Sequence, residues 1–250
     1  MRTPAVTFPH RGTTSSVLLT VGLKETLCVF STTKEGWAGV QLTQEQKNSL
    51  ESQVSRYQNS LYVAAEYLEG RGITEDTAVS ARLGVVDEPV HGDSEAAFNR
   101  LAIPYLTRSG VVDVRFRCLR EHDCGDSGCP KYLGRPNVRP RLYNVSALVD
   151  AGDIIGVAEG ELDALILNQL GYEAIGVPGV ANWKPHWSRL FEDFERIVVF
   201  CDGDNAGHGF GKAWSERFPQ SVELVSFPEG HDVNSMYLME GPEWFEHHLW

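Results

Sequence analysis

The sequence predicts an α/β protein, a Rossmann-like parallel sheet preceded by a smaller mixed α+β subdomain. Three observations lead there. From about Asp150, apolar strand-like stretches alternate with helical ones: DIIGVAE, ELDALILNQLG, AIGVPG, WSRLFEDF, RIVVFCD, GFGKAWSERF and SVELVSF. Strands alternating with helices form parallel sheets covered on both faces. Residues 100–118 alternate with a period of two instead, RLAIPYLTRSG then VVDVRFRCL, as a hairpin does with its turn at Gly110. The 250 residues are 42% hydrophobic and 22% charged, ordinary values for a globular chain.

The elements follow in order. Residues 1–41 hold two strand-like stretches, SVLLTVGL and TLCVFST, and have no readable role. The first residues lack a cleavage site and a sustained apolar core, so they do not read as a signal peptide. No apolar run approaches the ~20 residues needed to span a bilayer. The expected location is the cytoplasm, with no membrane partner.

Residues 42–149 form the first subdomain. A helix is expected from Thr43 to about Leu68: Thr43 and Gln46 make a capping box, and Leu50, Val54, Tyr57, Leu61, Ala64 and Leu68 recur at helical spacing. Thr74 caps a second, short helix that ends near Leu83-Gly84. In the hairpin, Val112, Val114, Phe116 and Cys118 share one face, and Asp113, Arg115 and Arg117 the other, read as an open sheet face. Residues 150–235 form the parallel sheet, and 236–250 a short tail.

Charge is unevenly spread. The net charge of −12 argues against a protein that coats nucleic acid, because Lys and Arg drive phosphate binding. Residues 100–141 nevertheless carry nine Lys/Arg against four Asp/Glu, and residues 222–250 carry six acids and no Lys or Arg. A basic stripe on an acidic chain fits a nucleic-acid groove beside a carboxylate site, or equally a solvated face.

Carboxylates gather where parallel sheets bind ligands, at the C-terminal strand ends. Glu159-Gly160-Glu161-Leu162-Asp163 follows one strand, Asp202-Gly203-Asp204 a second, and Asp232 lies beyond a third that ends at Phe227. Acids so placed repel one another unless a cation lies between them, and Mg²⁺ takes carboxylate and phosphate oxygens. Glu159, Asp202 and Asp204 are the expected ligands. Asp163 reads as a first-turn acid favoured by its helix dipole.

Cys118, His122, Cys124 and Cys129 lie within twelve residues, and Gly125 and Gly128 allow a tight loop. They suit a structural Zn²⁺, although Cys118 also fits a core thiol. The five cysteines in all do not form a disulfide framework. Trp183, His186 and Trp187 either stack bases or pack a helix. His208 and His231 read as surface or packing residues.

Glu-Gly-x-x-Asp-Ala after a strand, the GVPG turn (176–179), and Asp-Gly-Asp-x-Ala-Gly about forty residues after Glu159 resemble the Toprim domain shared by DnaG-type primases, topoisomerases and some nucleases. YLEGRGI, LAIPYLTRSGVVDVRFRCL, PKYLG, RLYNV and FPEGHD follow in the order of the primase catalytic core. The chain most resembles the compact primases of actinobacterial phages. The resemblance implies Mg²⁺ or Mn²⁺ on Glu159, Asp202 and Asp204, with Asp232 as an additional acid. It also implies a groove for nucleic acid and nucleotide on Arg115, Arg117, Lys131 and Arg141. The implied partners are single-stranded DNA, ribonucleoside triphosphates and a replicative helicase, and the implied reaction is RNA primer synthesis. Such primases usually begin with a separate zinc-binding domain, whereas residues 1–60 contain only Cys28; template recognition or helicase contact is then expected from a partner. A Toprim nuclease and a non-catalytic replication module are the alternatives.

Overall fold

A computed structural model describes residues 42–88, 95–120, 122, 124–136, 138–178 and 183–249. The strands expected within 1–41 and Gly179 of the GVPG turn lie outside the described residues.

The chain opens with α1 (Gln44–Gln58), and the capping box between Thr43 and Gln46 is formed. The helix stops sooner than its periodicity indicates. Asn59 caps it, a 3₁₀ turn covers Leu61–Ala64, and α2 (Ala65–Glu69) follows. The apolar spacing continues through the break because Leu50, Val54, Tyr57, Ala64 and Leu68 are all buried, but in two different clusters. One stripe of residues therefore serves two surfaces, and no single helix axis does so. α3 (Glu75–Ser80) is capped by Thr74, as expected.

The first sheet is antiparallel, in the order β1 (Gly84–Val85), β2 (Arg100–Thr107), β3 (Gly110–Cys118), β4 (Tyr132–Leu133). The β2–β3 register shifts between Tyr105 and Leu106. This irregularity breaks the simple alternation: Val111, not Val112, joins Val114 and Phe116 against Leu50, Val54 and Tyr57 of α1. Val112 packs on the other side.

That other side is not open. Leu101, Ile103 and Tyr105 of β2 pair with Arg117, Arg115 and Asp113 of β3. All three β2 residues belong to the cluster that contains Leu162, Leu165 and Ile166 of the next layer. The alternation along β3 identified the two faces but not their solvent exposure, since a period of two is the same whether the polar face meets water or another layer.

After α4 (Ala147–Asp150), the second sheet is parallel throughout. Its order is β6 (Ala174–Gly176), β5 (Ile154–Ala158), β7 (Arg196–Cys201), β8 (Val222–Ser226). α5 (Glu161–Gln169) crosses from β5 to β6, and α6 (Asn205–Arg217) from β7 to β8. Successive residues of β7 face opposite clusters: Ile197, Val199 and Cys201 on one side, Val198 and Phe200 on the other. WSRLFEDF forms a 3₁₀ turn over Pro185–Leu190 rather than an α-helix. Trp183 and Trp187 pack edge-on with each other, and Trp183 also meets Trp214 and Phe191. This is core packing, not a base-stacking platform.

After Asp232 come two helices, α7 (Val233–Glu240) and α8 (Glu243–Leu249), separated by Gly241 and Pro242. Phe245 is fully buried and lies beside Phe200 of β7. No helix of the described residues is long and apolar enough to cross a membrane. Phe245→Ala is expected to cost about 3–5 kcal/mol, the usual loss for a buried phenylalanine, measured by urea unfolding. A loss below about 1 kcal/mol would show that α8 is not part of the cooperative core.

Candidate active site

The order β6-β5-β7-β8 has its switch point between β5 and β7. The crossover from β5 runs to one side and that from β7 to the other, which opens a crevice at their C-terminal ends. Glu159 is the first residue after β5, and Asp202 the first after β7. The Asp202 backbone N–H donates to Glu159 Oε1 at 3.2 Å.

Asp204 and Asp232 are helix N-caps. Asp204 accepts from the Gly207 N–H at 2.7 Å and starts α6, while Asp232 accepts from the Ser235 N–H at 2.8 Å and starts α7. Asp232 also stands 3.7 Å from Arg71. Two glycines make the Asp-Gly-Asp turn possible. A Cβ at Gly203 would lie 1.8 Å from the Pro228 carbonyl oxygen, and one at Gly207 2.1 Å from that of Asp202.

The electrostatics tie five acids together. Burial, with the nearby charges of Asp204 and Asp163, pushes Glu159 up to about 7. Burial, with Glu159, Asp232 and Asp204, pushes Asp202 up to about 7, against the opposing pull of Lys131. Burial, with Asp232 and Asp202, raises Asp163 to about 7 as well. Asp163 Oδ1 and Asp202 Oδ1 are buried without a hydrogen-bond partner. Buried acceptors without partners are costly, and their oxygens suit a hard divalent cation. The residues therefore fit Mg²⁺ or Mn²⁺.

Asp163 was legible only as a first-turn acid, because its pattern does not reveal which way the helix turns. It faces the other acids, and Gly160 leaves it room: a Cβ there would stand 2.7 Å from Asp163 Oδ2. Glu161, in the same motif, turns the opposite way. It is 1% exposed, accepts from the Tyr105 hydroxyl at 2.8 Å and pairs with Arg115 at 2.8 Å. Arg115 is thus spent on tying the hairpin to α5 rather than being presented on an open face.

Arg117 is buried too, at 6% exposure. Its guanidinium donates to the Tyr67 and Tyr132 hydroxyls and stacks over both rings, and its charge reaches Asp163. Lys131 is exposed, and its charge acts on Asp202. Arg141 has a buried Nε without a partner, and its charge acts on Asp113. A cleft of about 540 Å³ between α3, β2 and the α5–β6 turn contains none of the site acids.

The Cys118, His122, Cys124 and Cys129 donor atoms all lie within 4.8 Å of one another. Cys118 Sγ is 3.7 Å from both Cys129 Sγ and His122 Nε2. A tetrahedral ion with metal–sulfur bonds of about 2.3 Å sets sulfurs about 3.8 Å apart, so the cluster has the geometry of a four-ligand metal site. Among the described residues, it is the one group with three or more such donor atoms this close; the carboxylates form a looser ring.

The Toprim-like family model matches residues 156–237. A DnaG primase catalytic domain solved bound to single-stranded DNA superposes with a TM-score of 0.63 at 22% identity, over 81% of this chain and 79% of that chain. The fold is that of the DnaG catalytic core, and its acid-bearing parallel sheet lies in the Toprim-like stretch. The gene 57 protein of Mycobacterium phage D29 is 36% identical over 148 residues, which cover 57% of this chain and 93% of the phage protein; the chain belongs to its family. The DNA primase of Clostridium acetobutylicum is 25% identical over 193 residues, covering 72% of this chain but 31% of that primase. The chain thus spans about a third of that primase's length.

Two outcomes are expected. Glu159, Asp163 and Asp202 hold protons up to about pH 7 when folded and only to about pH 4 when unfolded. Without metal, their contribution to stability therefore falls as pH rises from about 4 to about 7. Mg²⁺ should relieve this, so it should raise Tm more at pH 8 than at pH 5.5 in scanning fluorimetry; equal increments would contradict the coupling. Arg115→Ala leaves Glu161 buried without its cation and is expected to cost about 3 kcal/mol, read by urea unfolding; a neutral result would make Arg115 free for another role.

Proposed function

We propose that the chain is a DNA primase catalytic core that makes short RNA primers on single-stranded DNA. The observation that carries this is the ring of acids at the switch point, in which buried oxygens of Asp163 and Asp202 have no partner, with the charges of Lys131 and Arg117 from the first subdomain acting on them. Glu159, Asp202 and Asp204 would hold Mg²⁺ or Mn²⁺, with Asp163 and Asp232 completing the negative wall. When bound, the metal would lower the pKa of the attacking 3′-hydroxyl and stabilise the leaving pyrophosphate.

The protein groups position the reactants. Lys131 offers a point charge to phosphate. Arg117 is held rigid by two tyrosine hydroxyls, so the direction of its remaining donors is fixed before substrate arrives. No side-chain nucleophile is needed. The exposed basic residues Arg120, Lys131 and Arg139 would give the template strand a favourable path on a chain whose net charge is −12.

The substrates on this reading are ribonucleoside triphosphates and single-stranded DNA, with a replicative helicase as partner in the cytoplasm. The Cys/His cluster suits a structural Zn²⁺, because thiolate and imidazole ligands favour it over Mg²⁺.

The test is de novo synthesis. Purified protein is incubated with labelled ribonucleotides, Mg²⁺ or Mn²⁺ and a pool of single-stranded DNA, beside the double variant Asp202→Ala/Asp204→Ala. Short oligoribonucleotides are expected from the intact protein, falling at least about 100-fold in the variant, since several kcal/mol of charge stabilisation are removed. Metal-dependent degradation of the DNA, without synthesis, would make the chain a nuclease instead.

A further inference from the structure

We infer that Cys118, His122, Cys124 and Cys129 bind one Zn²⁺ that acts as a clamp, tying Cys124 and Cys129 back to the end of β3 and so fixing Lys131 and Tyr132 at the carboxylate site. The clamp rests on the zinc reading of the cluster and extends it to the placement of groups that face the acids.

The loop cannot order itself by burial. Between Cys118 and Lys131 its residues are charged, polar or small except for Leu119 and Pro130. Such a segment recovers too little apolar surface to offset its conformational entropy. A metal can supply that free energy directly. The four donors staple the loop at both levels. Cys118 ends β3 and Cys129 stands two residues before Lys131, which closes the stem; His122 and Cys124 come from the loop itself.

The surroundings fit a thiolate-rich ion. Three thiolates and one imidazole around Zn²⁺ carry a net charge of −1. Arg100, 7% exposed, points Nη2 at Cys129 Sγ, 3.1 Å away, and is held there by the carbonyls of Ala96 and Pro130. Among the described residues, no carboxylate pairs with Arg100. A buried cation needs a partner, and the Cys129 sulfur is the anionic group within its reach once zinc is bound. Outer hydrogen bonds of this kind orient metal ligands.

The link to the acid ring is short. The Cys118 N–H donates to the Lys131 carbonyl at 2.9 Å, and Arg117 pairs with Tyr132 across β3 and β4. β4 is only two residues long; Tyr132 and Leu133 pack against the apolar clusters, and the Cys118–Lys131 hydrogen bond joins the strand's start to β3. Tyr132 in turn grips Arg117. Releasing the ion frees the stem on which Lys131 and Tyr132 sit.

The test uses the full chain, purified without chelator, and needs neither nucleotide nor DNA, so it is decided apart from the primase reading. Atomic emission is expected to find about one zinc per chain, absent from Cys124→Ser, whose ligand lies in the loop and whose fold is checked by far-UV circular dichroism. Co²⁺ exchanged into the intact protein should give the visible bands of a tetrahedral thiolate site. Limited trypsin digestion should cut after Arg120 and Lys131 at least tenfold faster in Cys124→Ser than in the zinc-loaded protein. Absence of zinc and of the cobalt bands would overturn the site. Zinc bound, but equal cleavage in the folded variant, would overturn the clamp.

Discussion

Repulsion among buried carboxylates is the constraint on which the rest of the molecule depends. Three acids at the ends of β5 and β7 and on α5 are desolvated enough to hold protons near neutrality, and two of their oxygens have no partner. A fold tolerates such a cluster only if something else supplies the stabilisation. Here both crossovers bury their strands on two sides, and the aromatic group around Trp183, Phe191 and Trp214 braces the sheet behind the acids. The stable sheet carries the strained edge, and that strain is what a bound divalent cation would relieve.

The first subdomain is held to this edge by polar as well as apolar contacts. Leu101, Ile103 and Tyr105 share a cluster with α5, and within that contact the Tyr105–Glu161–Arg115 group is fully satisfied. A buried polar group of this kind fixes geometry more than it adds stability. It sets the hairpin's distance from the acids, and hence where Arg117 and Lys131 stand. The same motif thus does two jobs: Glu159 and Asp163 belong to the acid ring at the crevice, while Glu161 between them anchors the neighbouring layer.

Much of this was legible in the sequence. Apolar strands alternating with helices gave the parallel sheet, and acids after those strands marked its crevice. The Thr43 and Thr74 caps were readable because capping is local. What escaped depends on contacts distant in sequence. The break after Gln58 is invisible in a stripe whose residues all end up buried. The shifted register at Tyr105/Leu106 moved Val112 to the other face. The burial of Arg117, and the pairing of half-buried Arg115 with Glu161, follow from a layer that period-two alternation cannot announce. Asp163 and Glu161 differ by two positions on one helical turn, and only the packing of α5 decides which meets the acids and which meets the hairpin. The Cys/His spacing, by contrast, was visible as four donors in twelve residues, and the backbone brings all four together.

The central claim is that the carboxylate ring is a divalent-cation site, and crystals soaked in Mn²⁺ test it most directly. The account requires an anomalous manganese peak in the crevice, in contact with Asp202 and with Glu159 or Asp204. An empty crevice at saturating Mn²⁺ would contradict it, whatever ion the Cys/His cluster held.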